Sequence, residues 1–99
     1  MLKQSHSNYS ATIQIRPFDQ KIYDYILNQI RKSKINIVQQ NKLKKGIDIF
    51  IDSHKIIKTL GRRLKRNFKG ELKITYSLHT FDAAKGKKIY RSTLLFRTE

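Results

Sequence analysis

The sequence predicts an α+β fold: a mainly antiparallel, five-stranded sheet with two helices on one face. Five segments alternate apolar and polar residues, which is typical of strands buried on one side. Two other segments repeat apolar residues every three or four positions, which is typical of amphipathic helices. The predicted order is β-α-β-β-α-β-β, and its first six elements match the split βαβ order of ferredoxin-like folds.

The first strand and first helix have clear boundaries. Residues 9–16 alternate, and Pro17 ends the strand because proline cannot donate a ladder hydrogen bond. Asp19 is a suitable N-cap, and the apolar spacing after it predicts a helix over about 19–32.

The middle of the chain predicts a pair of strands. Residues 35–43 form the second strand, and Lys44-Lys45-Gly46 has the composition of a turn. Residues 47–52 alternate again, with isoleucine at every second position, and predict the third strand.

The last elements are a second helix and a hairpin. The helix is predicted over about 54–68, with Ser53 as its N-cap and Gly70 just past its end. Residues 72–78 and 89–97 alternate and are predicted to pair as the fourth and fifth strands. The helix-free face of the sheet should then carry Thr12, Gln14, Arg16, Phe50, Lys73, Thr75, Arg91 and Arg97.

The composition indicates one folded domain. The chain has 99 residues, of which 38% are hydrophobic, and it contains no cysteine, so disulfides and thiolate metal sites are excluded. We expect a flexible N-terminal segment at 1–8, a single basic domain over 9–98, and a monomer. No apolar run approaches the roughly 18 residues that span a bilayer, and the polar N-terminus does not resemble a signal peptide. We therefore expect a cytoplasmic protein.

The net charge is the most informative property for function. Lys and Arg number 22 against 7 Asp and Glu, which gives +15 at pH 7. Self-repulsion of this size costs folding stability, and a polyanionic partner would offset it. Nucleic acid is the favoured partner, and an anionic membrane surface is the less favoured alternative. A basic composition without a basic function is the third possibility.

The second helix carries the most specific pattern. Its apolar residues fall on one side, namely Ile56, Ile57, Leu60, Leu64 and Phe68. Its basic residues fall on the opposite side, with Arg63 at the border, and they are Lys55, Lys58, Arg62, Lys65, Arg66 and Lys69. Like charges four residues apart destabilise a helix, and no acid relieves them here. The pattern predicts a phosphate-binding face; an ordinary solvated surface is the alternative.

Other basic residues extend the predicted nucleic-acid site. Lys42, Lys44 and Lys45 flank Gly46, and Lys85, Lys87 and Lys88 flank Gly86. If these turns converge with the basic helix, they form a clamp. The residues predicted to bind nucleic acid outside the helix are Lys44, Lys45, Lys87, Lys88 and Arg91. The sequence lacks a glycine-rich phosphate loop, a KH-type loop and the aromatic strand motif of an RRM, so recognition of backbone and shape is favoured over base stacking.

No residues form a convincing catalytic set. Asp48 and Asp52 would share a strand face about 13 Å apart, which is too far for one metal ion. Asp52 is assigned instead to support Ser53 at the helix N-terminus. His79 and Asp82 could act as a metal or acid–base pair, but simple turn polarity is favoured. We expect no enzyme activity, cofactor or metal, and keep a small nuclease as a minor alternative.

Several stretches of the sequence match one known family. They are Ala11–Arg16, Gly46–Ile51, Phe68-Lys69-Gly70, Ser77–Asp82, Gly86-Lys87, Tyr90-Arg91, Thr93 and Arg97, together with the basic helix. With these residues the chain resembles the nonsense-mediated-decay protein three family over about 45–97. Ala11–Arg16 is similar to the strand that precedes this part in archaeal members, and the resemblance weakens over 17–44. The family also carries zinc-binding cysteine pairs, which this chain lacks, so the resemblance concerns the non-zinc part and implies no zinc.

The resemblance implies a role at the ribosome. In eukaryotes this family is the export adapter of the large ribosomal subunit, and it has archaeal relatives. We therefore expect a non-enzymatic RNA-binding module that binds the large subunit or its rRNA in ribosome maturation or quality control. Ribosomal proteins are the further partners that the resemblance implies. The alternative is a protein-interaction domain of a ribosome-biogenesis factor that binds an acidic protein partner.

Overall fold

A computed structural model describes residues 9–82 and 86–98, without the side chains of 78–82 and 87–89. The elements are β1 (Ala11–Arg16), α1 (Gln20–Lys32), β2 (Ile37–Leu43), β3 (Gly46–Ile51), α2 (Ile57–Asn67), β4 (Gly70–Asp82) and β5 (Lys87–Thr98). The predicted α+β class and element order are confirmed. The predicted flexible segment 1–8 lies outside the described residues.

The described strands form one five-stranded sheet in the order β2-β3-β1-β5-β4. The pairs β1–β3, β2–β3 and β4–β5 are antiparallel, whereas β1 and β5 are parallel. The sheet is therefore mostly antiparallel, with one parallel pair. The ferredoxin-like prediction was wrong in one respect, because β5 lies between β1 and β4 and prevents the pairing of β4 with β1.

The position of β5 follows from its composition. Leu94 and Phe96 are fully buried against the helices, and Leu95 between them is half-buried on the other face. A strand that is apolar on both faces is best accommodated inside a sheet. By contrast, β4 alternates exposed and half-buried residues, with Glu71 and Lys73 exposed, and this suits an edge.

The hydrophobic core lies between the two helices and one face of the sheet. Its buried side chains form a single cluster that includes Ile22 and Ile26 of α1, Leu60 and Leu64 of α2, and Ile13 of β1. Because both helices contribute to the same cluster, they cover the same face, as predicted. The helices also contact each other, since Arg63 donates a hydrogen bond to Gln29.

The two helices begin differently. The carboxylate of Asp19 accepts a hydrogen bond from the backbone nitrogen of Ile22 at 3.1 Å, which confirms the predicted cap of α1. For α2 the predicted start at 54 and the Ser53 cap were wrong, because the helix begins at Ile57 after a turn and has no side-chain cap. In that turn the Ser53 hydroxyl accepts from the backbone of Lys55.

One other predicted helix-end role was also wrong. Asp52 does not support the α2 N-terminus, because its two carboxylate oxygens accept hydrogen bonds from the backbone and side chain of Asn36. Gly70 lies just past the end of α2, as predicted. The helix ends at Asn67, Phe68 follows in extended backbone, and Gly70 is the first residue of β4. A Cβ at Gly70 would lie 2.5 Å from the carbonyl oxygen of Arg97, so the close pairing of β4 with β5 requires glycine there.

The β4–β5 hairpin is longer than predicted and extends beyond the rest of the sheet. Ala11, the first residue of β1, pairs with Ser92 of β5, so residues 87–91 of β5 pair with β4 alone. We call this two-stranded part, residues 77–82 and 87–91, the hairpin arm. The arm leaves the sheet at the end where α2 begins.

An ion pair on the helix-free face joins β1 to β3. The guanidinium of Arg16 lies 2.5 Å from a carboxylate oxygen of Asp48, and the two side chains are 17% and 14% exposed. The same guanidinium donates to the carbonyl oxygens of Ile15 and Ile47. Asp48 therefore has a structural role as the ion-pair partner of Arg16.

We expect the substitution Asp48→Ala to lower the free energy of unfolding by about 1.5–3 kcal/mol, the range for hydrogen bonds to charged groups. The loss arises because Arg16 keeps a charge that is mostly buried and no longer paired. Chemical denaturation compares the variant with wild type, and Asp24→Ala on exposed α1 is the control. An unchanged midpoint for Asp48→Ala would show that solvent replaces the ion pair without cost.

Candidate nucleic-acid interface

The basic side of α2 is an exposed surface in the structure. We call its residues the basic face of α2, and they are Lys55, Lys58, Arg62, Lys65, Arg66 and Lys69. All six are exposed. The burial of Ile57, Leu60 and Leu64 fixes the rotation of the helix and so turns the four of these cations that lie within α2 outward. Lys55 lies in the turn before α2, and Lys69 follows its end. Sequence periodicity therefore located the four cations within α2 correctly on the outside of the helix.

The charges of this face are not neutralised within the described part of the protein. Among the described residues, none of the six cations forms an ion pair with a carboxylate. Lys65 makes a different contact, because its Nζ donates a hydrogen bond to the carbonyl oxygen of Gly70 at 3.2 Å. Lys58, Arg62 and Arg66 follow one another four residues apart, which is about 6 Å along the axis. The result is a continuous positive stripe.

The turn between β2 and β3 lies away from this stripe. It joins the two strands at one edge of the sheet, whereas α2 contacts β4 and β5 near the other edge. Lys44 and Lys45 are both exposed, and Lys45 lines a recess on the helix-free face together with Arg16 and Arg97. The structure therefore does not bring these lysines to α2 to form the predicted clamp.

The remaining predicted cations occupy other surfaces. Lys42 lies on the helix side, with its Nζ 4.9 Å from the centre of the Phe18 ring. Arg91 lies on the helix-free face as predicted, stacked 3.9 Å from the centre of the Tyr9 ring, and its Nε donates to the Tyr9 carbonyl. Lys87 and Lys88 belong to the hairpin arm, where only their backbone is described, and Lys85 lies outside the described residues.

Two tyrosines form a site that the sequence analysis missed. Tyr76 is 54% exposed and Tyr90 is 50% exposed, although both rings are large and mostly apolar. Together with His54 and Ser92 they line a cavity of about 380 Å³. The cavity lies where the hairpin arm leaves the sheet, beside the turn that precedes α2. The signal in the sequence was the placement of both tyrosines on the helix-side positions of paired strands.

The residues considered for catalysis are not gathered into one site. Asp48 is paired with Arg16, and Asp52 binds Asn36, so each has a structural partner. The side chains of His79 and Asp82 lie outside the described set. Within that set, no group of three His, Cys, Asp or Glu residues could hold a metal ion. Neither of the two described helices combines the length and the apolar character that a bilayer crossing requires.

Comparison with known proteins identifies the family. No curated protein matches the chain. The family model described as NMD3, second domain, matches residues 8–97. The match confirms the resemblance found in the sequence and extends it over 17–44, where the individual stretches were not distinctive. The chain therefore belongs to the NMD3 family, matching the second domain of that family.

Proposed function

We propose that the protein is a non-enzymatic RNA-binding module that binds the large ribosomal subunit through its rRNA. The observation that carries the proposal is the basic face of α2, where six exposed cations have no carboxylate partner within the described structure. Phosphates would stabilise such a surface. The lysines and arginines take the place of counterions condensed on the nucleic acid, and the release of these counterions favours binding. Membership of the NMD3 family supports a ribosomal target.

The orientation of α2 argues against a membrane surface as the partner. An amphipathic helix that binds a bilayer inserts its apolar face among the lipid chains. Here that face is occupied, because Ile57, Leu60 and Leu64 are at most 1% exposed in the hydrophobic core. The helix therefore offers charge to a partner but no apolar surface, which suits phosphates on a nucleic acid.

A filter-binding titration with fragments of large-subunit rRNA tests the proposal. Each phosphate contact contributes about 0.7 to the slope of log affinity against log salt on a single strand and about 0.9 on a duplex. Contacts from all six cations would give a slope of roughly −4 to −5. A slope weaker than about −1 would contradict binding through this face.

Two controls separate the proposal from its alternatives. Polyglutamate as a competitor of the bound RNA tests for an acidic protein partner. If the surface is built for such a partner, polyglutamate should displace the RNA as readily as unlabelled RNA does. Gel analysis of the RNA after incubation with divalent metal ions tests for nuclease activity. We expect weak competition and intact RNA.

A further inference from the structure

We propose that the cavity lined by Tyr76, Tyr90, His54 and Ser92 binds an unpaired nucleobase of the RNA. This inference rests on the proposed function and adds to it, because the basic face of α2 accounts only for phosphates. The name "base cavity" refers to these four residues below. An unpaired base is a flat, partly apolar group with polar edges. The base cavity offers aromatic walls for the flat faces and a hydroxyl group for the polar edges.

The two tyrosines provide the flat apolar walls. Tyr76 pairs with Ser92, and Leu78 pairs with Tyr90, so the tyrosines are diagonal neighbours on the same side of adjacent strands. Diagonal neighbours lie about 7–8 Å apart, within reach of aromatic side chains. Among the described residues, three large hydrophobic side chains are exposed, and two of them are these tyrosines. Exposed aromatic rings are the usual platform for single-stranded bases, because every base has a π-face.

Ser92 provides an unused hydrogen-bonding group. It is 2% exposed, and its hydroxyl has no hydrogen-bond partner in the described structure. A buried hydroxyl without a partner costs folding stability, and a ligand that bonds to it would offset that cost. Base edges carry both donors and acceptors, and a hydroxyl can bond to either. The small side chain also keeps the cavity open below the tyrosines.

The base cavity lies beside the N-terminal end of the basic face of α2. His54 lines the cavity, Lys55 is the next residue, and Lys58 follows in the first turn of the helix. A strand whose phosphates follow α2 towards its N-terminus would therefore arrive at the cavity. This placement favours RNA as the occupant over an apolar peptide, because the approach to the cavity is strongly positive.

The test compares a single-stranded RNA with an abasic strand of the same length. Wild type should bind the RNA more tightly than the abasic strand. Tyr76→Ala should weaken binding to the RNA roughly 5- to 150-fold, the effect of losing one to three kcal/mol of base stacking. It should leave the abasic strand and the salt slope unchanged, because the phosphate contacts remain. Tyr76→Phe should retain most of the affinity, and Leu43→Ala, an exposed residue elsewhere, should retain all of it.

Ser92→Ala distinguishes a binding role of Ser92 from a structural one, because only a binding role predicts weaker RNA binding without a loss of stability. Removing an unpartnered buried hydroxyl should leave the protein equally or more stable in denaturant, while binding to the RNA weakens. If Tyr76→Ala loses the same affinity for both strands, or loses affinity for neither, the proposed base cavity is contradicted while the proposed function stands. If wild type shows no salt-dependent binding to either strand, the proposed function fails and the base cavity fails with it.

Discussion

Replacing Arg62 and Arg66 together by glutamate should weaken RNA binding roughly 25-fold at 0.1 M salt and flatten the salt slope by one to two units. Both residues are exposed on the basic face of α2 and contact no described carboxylate. Each lost phosphate contact removes about 0.7 from the slope, which corresponds to about 0.7 log units of affinity at 0.1 M salt. Charge reversal adds repulsion to this loss. A filter-binding salt titration measures both quantities.

The choice of Arg62 and Arg66 follows from the structure. Lys65 is left unchanged because its hydrogen bond to the carbonyl of Gly70 links α2 to the start of β4. The double variant should fold, because the new carboxylates have Lys58, Lys65 and Lys69 three or four residues away. Circular dichroism checks this directly.

A matched control distinguishes the effect of the basic face of α2 from the effect of net charge. Lys21→Glu with Lys32→Glu reverses two exposed lysines of α1 and changes the net charge by the same amount. We expect the control to retain most of the affinity. Equal weakening in both double variants would mean that overall charge, and not the basic face, determines binding.

Leu60→Ala should lower the free energy of unfolding by about 2–5 kcal/mol, the range for large-to-alanine changes in a packed core. Leu60 is 0% exposed and belongs to the cluster that joins α2 to the sheet. For a domain of this size such a loss is a large part of the total stability. Urea denaturation followed by circular dichroism measures it.

The exposed neighbour Thr59 supplies the control for this prediction. Thr59→Ala lies on the same helix and should change stability by less than about 0.5 kcal/mol, as surface substitutions usually do. A loss below about 1 kcal/mol for Leu60→Ala would contradict the buried position of the apolar stripe. The apolar side of α2 would then be available to a partner.

Local patterns predicted the parts of the fold that depend on neighbouring residues. The spacing of Leu60 and Leu64 located the buried side of α2, and Asp19 located the start of α1. The strand order could not be predicted in the same way, because the pairing of β1 with β5 joins residues about eighty positions apart. The run Leu94-Leu95-Phe96 was the one local indication of an inner strand.

The candidate site also has one part that depends on local sequence and one part that depends on strand pairing. The basic face of α2 depends on helical periodicity and was predicted from sequence. The base cavity depends on the exact register between β4 and β5, which places Tyr76 beside Tyr90 across the hairpin. Whether the turn at Gly46 converges with α2 could not be predicted, because sequence does not reveal which edge of the sheet a turn occupies. Lys45 thus lines the helix-free face beside Arg97.

Co-sedimentation with purified ribosomal subunits tests the central claim most directly. Wild type should pellet with large subunits at low salt, be released by a high-salt wash, and show weaker association with small subunits. The Arg62→Glu, Arg66→Glu double variant should pellet much less at the same low salt, because two of the six expected phosphate contacts are lost. Wild type that stays in the supernatant, or a folded double variant that pellets equally well, would contradict binding of the large subunit through the basic face of α2.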